Sequence, residues 1–116
     1  MNSNTTEYLE KQALIRESRK AYKGNGAINI VFISKDTLYE LKQINIQGIP
    51  QTVFVEDECE ILWGARVITT DEINNKYEFV WANQYELEQL IAGEKIDAFK
   101  NLEKFIPDFK KYLASR

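Results

Sequence analysis

Histidine is absent from this chain of 116 residues, and cysteine occurs once, as Cys59. Without imidazole, the chain cannot form a serine or cysteine triad that depends on histidine, a zinc site with histidine ligands or a histidine proton shuttle. A single cysteine also excludes an internal disulfide. Any catalysis would therefore rely on carboxylates, lysine, tyrosine or the one thiol.

Long apolar runs are absent as well, and no segment has the length that a membrane-spanning helix needs. The chain begins with a polar stretch that lacks the apolar core of a signal peptide, which favours a cytoplasmic protein. The formal net charge of −3 is too small for an acidic mimic of nucleic acid or a basic nucleic-acid coat. We expect no cofactor and no membrane partner.

Length and composition are typical of one globular domain. Hydrophobic residues make up 44% of the chain, enough for a core that folds without disulfides or metals. We predict a single compact α+β domain over residues 1–116. It should comprise an N-terminal helix over about 5–22, a mixed sheet core over 27–82 and a C-terminal helical pair over 84–114.

The sheet is predicted from alternating apolar side chains, since alternate residues of a strand point to opposite faces. Three segments, 51–55, 61–68 and 77–82, predict a three-stranded antiparallel meander. Before them, the apolar run 27–33 predicts a strand buried on both faces. A helix capped by Ser34 or Asp36 follows this run and completes a β-α-β unit.

Capping patterns mark the C-terminal helices. Asn83 and Glu86 have the spacing of a reciprocal capping box, and Gly93 is suited to end that helix. Asp97 is the expected cap of the last helix, in which Pro107 predicts a kink or break. We expect both C-terminal helices to pack on the sheet.

Four aromatic residues lie in the predicted meander, and their rings could form a core or an exposed binding platform. The last helix carries a matching apolar stripe, which favours a core beneath that helix. The four rings belong to Trp63, Tyr77, Phe79 and Trp81.

An acidic tip, defined here as Glu56, Asp57, Glu58 and Glu60, surrounds Cys59. Carboxylates at this density suit a hard cation, but the glycine and spacing of a calcium-binding loop are missing. A solvated hairpin turn that blocks edge-to-edge pairing is the simpler interpretation. A surface for a basic protein partner is the functional alternative that we rank above metal binding. The acidic neighbours of Cys59 disfavour a reactive thiolate.

A basic helix edge lies beside the apolar stripe of the predicted first helix and comprises Arg16, Arg19, Lys20 and Lys23. It could contact phosphate or an acidic partner. Cations in the last turns of a helix also complement the helix dipole, and we favour this structural interpretation because no aromatic side chains for base stacking are interleaved.

The leading functional hypothesis is a non-catalytic protein-binding module, such as a small inhibitor, adaptor or assembly subunit. Accessory proteins of phages and mobile elements have this general character, by analogy only. The partner would be another protein or a second copy of the chain. One alternative is nucleic-acid association through the basic helix edge. Another is a carboxylate-dependent, metal-assisted enzyme that uses Asp57, Glu58 or Glu60.

Overall fold

The chain begins with a helix, continues with five strands and one intervening helix, and ends with three consecutive helical segments. The computed structural model describes residues 3–116, so residues 1 and 2 of the predicted domain lie outside the described range. The elements are α1 (Ser3–Arg19), β1 (Ile30–Ile33), α2 (Lys35–Gln43), β2 (Val53–Glu56), β3 (Cys59–Leu62), β4 (Ala65–Thr69), β5 (Val80–Ala82), α3 (Gln84–Ile91), a 3₁₀ helix (Asp97–Phe105) and α4 (Ile106–Ala114).

The strands form one five-stranded sheet in the order β2-β3-β4-β1-β5. β2, β3 and β4 are successive antiparallel neighbours, whereas β1 pairs parallel with β4 and antiparallel with β5. The predicted α+β class is therefore confirmed, and it includes an antiparallel three-stranded meander. β2 runs in the same direction as β1, so β1, α2 and β2 form a β-α-β unit with two strands between its ends.

The meander consists of β2, β3 and β4, and not of the predicted strands 51–55, 61–68 and 77–82. The predicted strand 61–68 is divided by a tight turn at Trp63 and Gly64, whose φ angles are +50° and +79°. Two side chains of α1 hold this turn. Gln12 Oε1 accepts a 2.9 Å hydrogen bond from the Trp63 indole, and Arg19 donates a 3.0 Å hydrogen bond to the Trp63 carbonyl oxygen.

The predicted strand 77–82 is shortened to β5, which pairs with β1 and not with the meander. Tyr77 adopts a left-handed backbone with φ of +61°, which is incompatible with a continuous strand. Its N–H donates to Thr37 Oγ1 at 2.8 Å, so the backbone group that would join a ladder is satisfied by α2.

One face of the sheet packs on α1 and α2. The buried side chains here include Val31 and Ile33 of β1, together with Ile15 of α1 and Leu41 of α2. The four aromatic residues from the meander region also pack in this cluster, as the core interpretation required. The layer above them is α1, and not the last helix, because the apolar stripe of that helix packs on the opposite face.

The opposite face packs on α3, the 3₁₀ helix and α4. Ile30 and Phe32 of β1 point into this second cluster, where the Phe32 and Phe105 rings stack with centroids 4.7 Å apart. β1 is therefore buried on both faces, as predicted for the run 27–33, but only Ile30–Ile33 of that run forms a strand.

Several predicted helix ends are confirmed. Ser34 Oγ accepts from the Thr37 N–H at 3.1 Å, and Asn83 Oδ1 accepts from the Tyr85 N–H at 2.9 Å. Gly93 follows α3 with φ of +93°, the left-handed conformation that ends a helix. The last helix does break beside Pro107, where the 3₁₀ helix gives way to α4.

Two predicted caps differ. The 3₁₀ helix begins after Ile96 without a side-chain cap, so Asp97 lies inside its first turn. In a capping box, the Glu86 carboxylate would accept a hydrogen bond from the backbone N–H of Asn83. It accepts one from the Tyr22 hydroxyl instead, at 2.7 Å.

Candidate functional site

The acidic tip lies at the turn of the β2–β3 hairpin. Glu56 ends β2, and Asp57 and Glu58 form the two-residue connection to Cys59, the first residue of β3. All three carboxylate side chains of this turn are exposed. None of them forms an ion pair with another residue in the range 3–116. The turn therefore presents three exposed carboxylates to solvent, with the guanidinium groups of Arg66 and Arg116 close by at Cys59.

The backbone of this turn is left-handed, with φ of +52° at Asp57 and +64° at Glu58. A two-residue hairpin turn with positive φ at both positions favours asparagine followed by glycine. For a residue with a Cβ, the left-handed conformation costs about 1 kcal/mol. Asp57 tolerates it through its short side chain, whereas Glu58 has no such compensation. The chain thus carries a carboxylate where glycine would be more stable.

Glu60 differs from the rest of the predicted acidic tip. Its Oε2 lies 3.0 Å from the Lys42 Nζ, and its side chain is only 30% exposed. The ion pair joins β3 to α2 and neutralises the charge. The structure therefore brings together Glu56, Asp57 and Glu58 as a charged surface and assigns Glu60 to a structural contact.

β2 is an edge strand of the sheet, and its exposed apolar side chains lie next to the acidic tip. Phe54 is 47% exposed and Val55 is 66% exposed. Because neighbouring residues of a strand point to opposite faces, both faces of the sheet are open to solvent at this end of β2. Neither helical layer therefore covers this part of the hairpin. The molecule measures 50 × 28 × 25 Å, so it is clearly elongated.

The free edge of β2 also presents backbone hydrogen-bonding groups. In an antiparallel hairpin closed by a two-residue turn, the residues next to the turn exchange hydrogen bonds and the following pair does not. Glu56 and Cys59 close this turn, and Val55 faces Glu60 in the following pair. The N–H and C=O of Val55 therefore point away from β3, toward the open edge.

Cys59 has different neighbours in space from those in sequence. Its sulfur lies 3.7 Å from a nitrogen of Arg66 and also contacts the guanidinium of Arg116. The expected acidic environment is thus accompanied by two cations from β4 and the C-terminus. Within the described range, no group of three or more Asp, Glu, Cys or His side chains is arranged to hold a metal ion.

The basic helix edge is only partly helical, because α1 ends at Arg19 and not near residue 22, so Lys20 and Lys23 follow the helix. Contacts within the fold also occupy part of it. Arg19 is half-buried, and its guanidinium stacks 4.7 Å from the centroid of the Trp81 ring while donating to Trp63. Lys20 pairs with Glu17 at 2.9 Å. The other two cations, Arg16 and Lys23, are exposed and form no ion pair with the residues that the structure describes.

The edge strand is the feature that sequence reasoning missed. Phe54 and Val55 belong to an apolar segment that reads like any half-buried strand, and only the order of strands places it at the edge. The acidic turn that follows was interpreted as a block to edge-to-edge pairing, but this signal alone did not show that Phe54 and Val55 would be exposed.

Comparisons of the chain with family models, curated proteins and solved structures give no match. Among the described helices, none has both the length and the apolar character required to cross a membrane.

Proposed function

We propose that this chain is a non-catalytic protein-binding module, such as an inhibitor, adaptor or assembly subunit, and that it binds its partner through the β2–β3 hairpin. The observation that carries the proposal is an unpaired edge strand with two exposed apolar side chains that ends in an acidic, conformationally strained turn.

The strain at the turn supports a functional role. Residues held in unfavourable backbone conformations persist where the surrounding structure or the function requires them. Asn-Gly at positions 57 and 58 would relieve the strain, and it would also remove two negative charges. Asp57 and Glu58 therefore place negative charge at this point at the expense of backbone strain.

The apolar edge supports the same conclusion. An exposed edge strand with apolar side chains is prone to unwanted pairing, which proteins normally prevent by charges or a covering loop. On β2, the charges stand only at the end of the strand, and Phe54 and Val55 remain accessible. A partner strand added along this edge would satisfy the outward groups of Val55 and cover both side chains.

The charge of the hairpin indicates the chemistry of the partner. Glu56, Asp57 and Glu58 create a local negative potential at one end of β2. A partner segment with lysine or arginine at the matching end would be attracted to it and held in register. The proposed occupant is therefore an extended segment of another protein that carries apolar residues followed or preceded by basic ones.

Affinity capture with matched variants tests the proposal. The immobilised chain is exposed to a lysate of its source cells, and captured proteins are identified by mass spectrometry. Reversal of Glu56, Asp57 and Glu58 to Lys should abolish capture of the specific partner. The matched control reverses Glu88, Glu94 and Glu103, three exposed acidic residues elsewhere, with the same change in net charge.

A second variant isolates the strand edge. Val55→Pro removes the outward N–H, and proline is tolerated on an edge strand at such a position. We expect this variant to remain folded and to lose the partner. Capture that is equal in the wild type, the tip reversal and Val55→Pro would contradict the proposal, whereas loss in both with retention in the control would support it.

The remaining alternatives have less support from the geometry. Nucleic-acid association would rest on Arg16 and Lys23, because Arg19 and Lys20 are engaged within the fold. Its signature would be binding that weakens steeply with salt. A metal-assisted enzyme would use Asp57, Glu58 or Glu60, but Glu60 pairs with Lys42, and no cluster of three metal-binding side chains occurs within residues 3–116.

A further inference from the structure

A cavity of about 340 Å³ lies between the start of β4, the start of α3 and the C-terminal end of α4. Its volume is at the lower end of the range of about 300–1,000 Å³ that is common for small-molecule sites. The lining that the described residues form contains two cations and no carboxylate side chain, in a chain whose formal net charge is −3. The lining residues are Asn29, Arg66, Gln84, Tyr112, Leu113 and Arg116.

Arg66 is the unusual member of this lining, because a charged group that is partly removed from water normally contacts an opposite charge. Its Nη1 donates to the Tyr112 hydroxyl at 3.0 Å and lies 3.7 Å from the sulfur of Cys59. Arg66 is half-buried, and it forms no ion pair with any of residues 3–116. Both contacts use Nη1, so the Nε and Nη2 groups have no hydrogen-bond partner within that range.

Arg116 brings a second guanidinium group to the same place. It contacts the sulfur of Cys59 and lies 5.4 Å from the centroid of the Tyr112 ring. Like Arg66, it forms no ion pair with the residues that the structure describes. Because both guanidinium groups contact one sulfur atom, two positive charges lie close together. Like charges at close range repel each other, and an anion that contacts both would remove this repulsion.

The acidic tip does not supply this anion. Asp57 attracts Arg66 electrostatically from the hairpin turn but forms no ion pair with it. Asp57 and Glu58 line a neighbouring cavity, which shares only Tyr112 and Arg116 with this one. Arg116 is exposed and Arg66 is partly exposed, so a ligand can reach both residues from solvent.

We propose that this cavity binds a small organic phosphate, whose phosphate group lies between the guanidinium groups of Arg66 and Arg116. A phosphate monoester carries about −1.5 to −2 charges at pH 7, which match the two cations. Its three terminal oxygens can accept hydrogen bonds from both planar guanidinium groups, whereas a carboxylate has the charge and oxygens for one. The organic substituent would lie beside the Tyr112 ring and Leu113, which also line the cavity.

Titration of the ¹⁵N-labelled full chain with phenyl phosphate tests the site, with phenyl sulfate as a monoanion of the same shape at equal ionic strength. The Nε–H signal of Arg66 is followed by NMR, and that of Arg16, an exposed arginine of α1, is the internal reference. We expect a saturable shift at Arg66 with phenyl phosphate, a much smaller shift with phenyl sulfate, and little shift at Arg16. Inorganic phosphate should bind more weakly than the ester, because it leaves the Tyr112 ring and Leu113 uncovered.

Two variants assign the effect to the arginine pair. Arg116→Gln removes one guanidinium at an exposed position, so this variant should remain folded. It should bind phenyl phosphate at least about tenfold more weakly, the factor expected for one charge-assisted hydrogen bond. Arg66→Gln should give a similar loss, reported by the side-chain amide of Gln84, which also lines the cavity. Arg16→Gln makes the same change in net charge and should bind like the wild type.

The proposal is overturned if Arg66 does not respond to phenyl phosphate, if Arg16 responds equally, or if phenyl sulfate or inorganic phosphate binds as tightly. Undiminished binding in the folded Arg116→Gln variant would also overturn it, whether or not Arg66→Gln folds. Saturable binding that depends on both arginines and on the second negative charge supports it. These outcomes are independent of partner capture by β2, because the variants leave Phe54, Val55 and the acidic tip unchanged.

Discussion

β1 and β2 are alike in length and chemistry but lie in opposite environments. The four residues of β1, IVFI, are all buried, whereas in β2, VFVE, only Val53 is buried. β1 has a strand on each side and a helical layer on each face. β2 has one neighbouring strand, and no helix covers Phe54, Val55 or Glu56 on either face of the sheet.

The difference shows that an apolar strand is not necessarily part of the core. β1 stabilises the fold because its position lets both faces bury side chains. In β2, similar side chains contribute little burial in the isolated chain, and this exposed apolar surface is the basis of the proposed binding role. The predictions below test this contrast, beginning with the largest expected effect.

Truncation of one phenylalanine in each strand should give the largest difference. Phe32→Ala leaves a cavity beneath Phe105 and should lower the free energy of unfolding by about 3–5 kcal/mol. Phe54→Ala removes a ring that is already half exposed and should cost about 1 kcal/mol. Urea unfolding of the two variants measures both. Similar losses would mean that β2 is as much a part of the core as β1.

The turn between β3 and β4 should depend on a single cation of α1. Arg19→Ala removes the donor to the Trp63 carbonyl, and a charge-assisted hydrogen bond of this kind contributes about 1.5–3 kcal/mol. Arg16→Ala, at an exposed position of the same helix, should change stability by no more than about 0.5 kcal/mol. Thermal unfolding distinguishes the two variants, and equal effects would remove the structural role assigned to Arg19.

The turn at the end of β2 should become more stable when its charge is lost. The double substitution Asp57→Asn with Glu58→Gly suits the positive φ angles and should raise the free energy of unfolding by about 0.5–1 kcal/mol. The same variant should bind the partner more weakly. Chemical denaturation and affinity capture measure the two effects, and a loss of stability would show that the turn is not strained.

The hydrogen-bonded pair of Tyr22 and Glu86 should give an effect that is visible only in alkali. The pKa of Tyr22 is raised from 10.0 to about 12, first by burial and then by Glu86. Between these values the folded chain keeps a proton that the unfolded chain loses, so the free energy of unfolding should fall as pH rises from about 10 to about 12.

Tyr22→Phe should make that fall less steep. Tyr85→Phe, at an exposed ring, is the control and should retain the slope of the wild type. Urea unfolding at several pH values measures the slopes. An unchanged slope in Tyr22→Phe would contradict the raised pKa.

Local structure was largely predictable because its causes are close in sequence. Ser34, Asn83 and Gly93 mark helix ends as expected, since each acts on backbone groups only a few residues away. The burial of β1 on both faces followed from the four consecutive apolar residues Ile30–Ile33 at the end of the predicted strand 27–33. The break beside Pro107 followed from the missing N–H.

Long-range pairing was not predictable in the same way. The turn at Trp63 has no turn-forming residue at its first position, and Gln12, 51 residues earlier, stabilises it. Likewise, Glu86 bonds to Tyr22, 64 residues away, and not within its own helix. The exposure of Phe54 and Val55 depends on strand order, which alternation along a strand does not determine.

Amide hydrogen exchange at Val55 is the most direct test of an open β2 edge that receives a partner strand. It is measured by NMR on the chain at a concentration where light scattering gives the monomer mass of 13.6 kDa, alone and with the captured partner. We predict that the Val55 amide exchanges rapidly in the free chain and slowly in the complex, whereas the amides of β1 are protected in both. A Val55 amide that is protected in the free monomer, or that the partner leaves unchanged, would contradict the account.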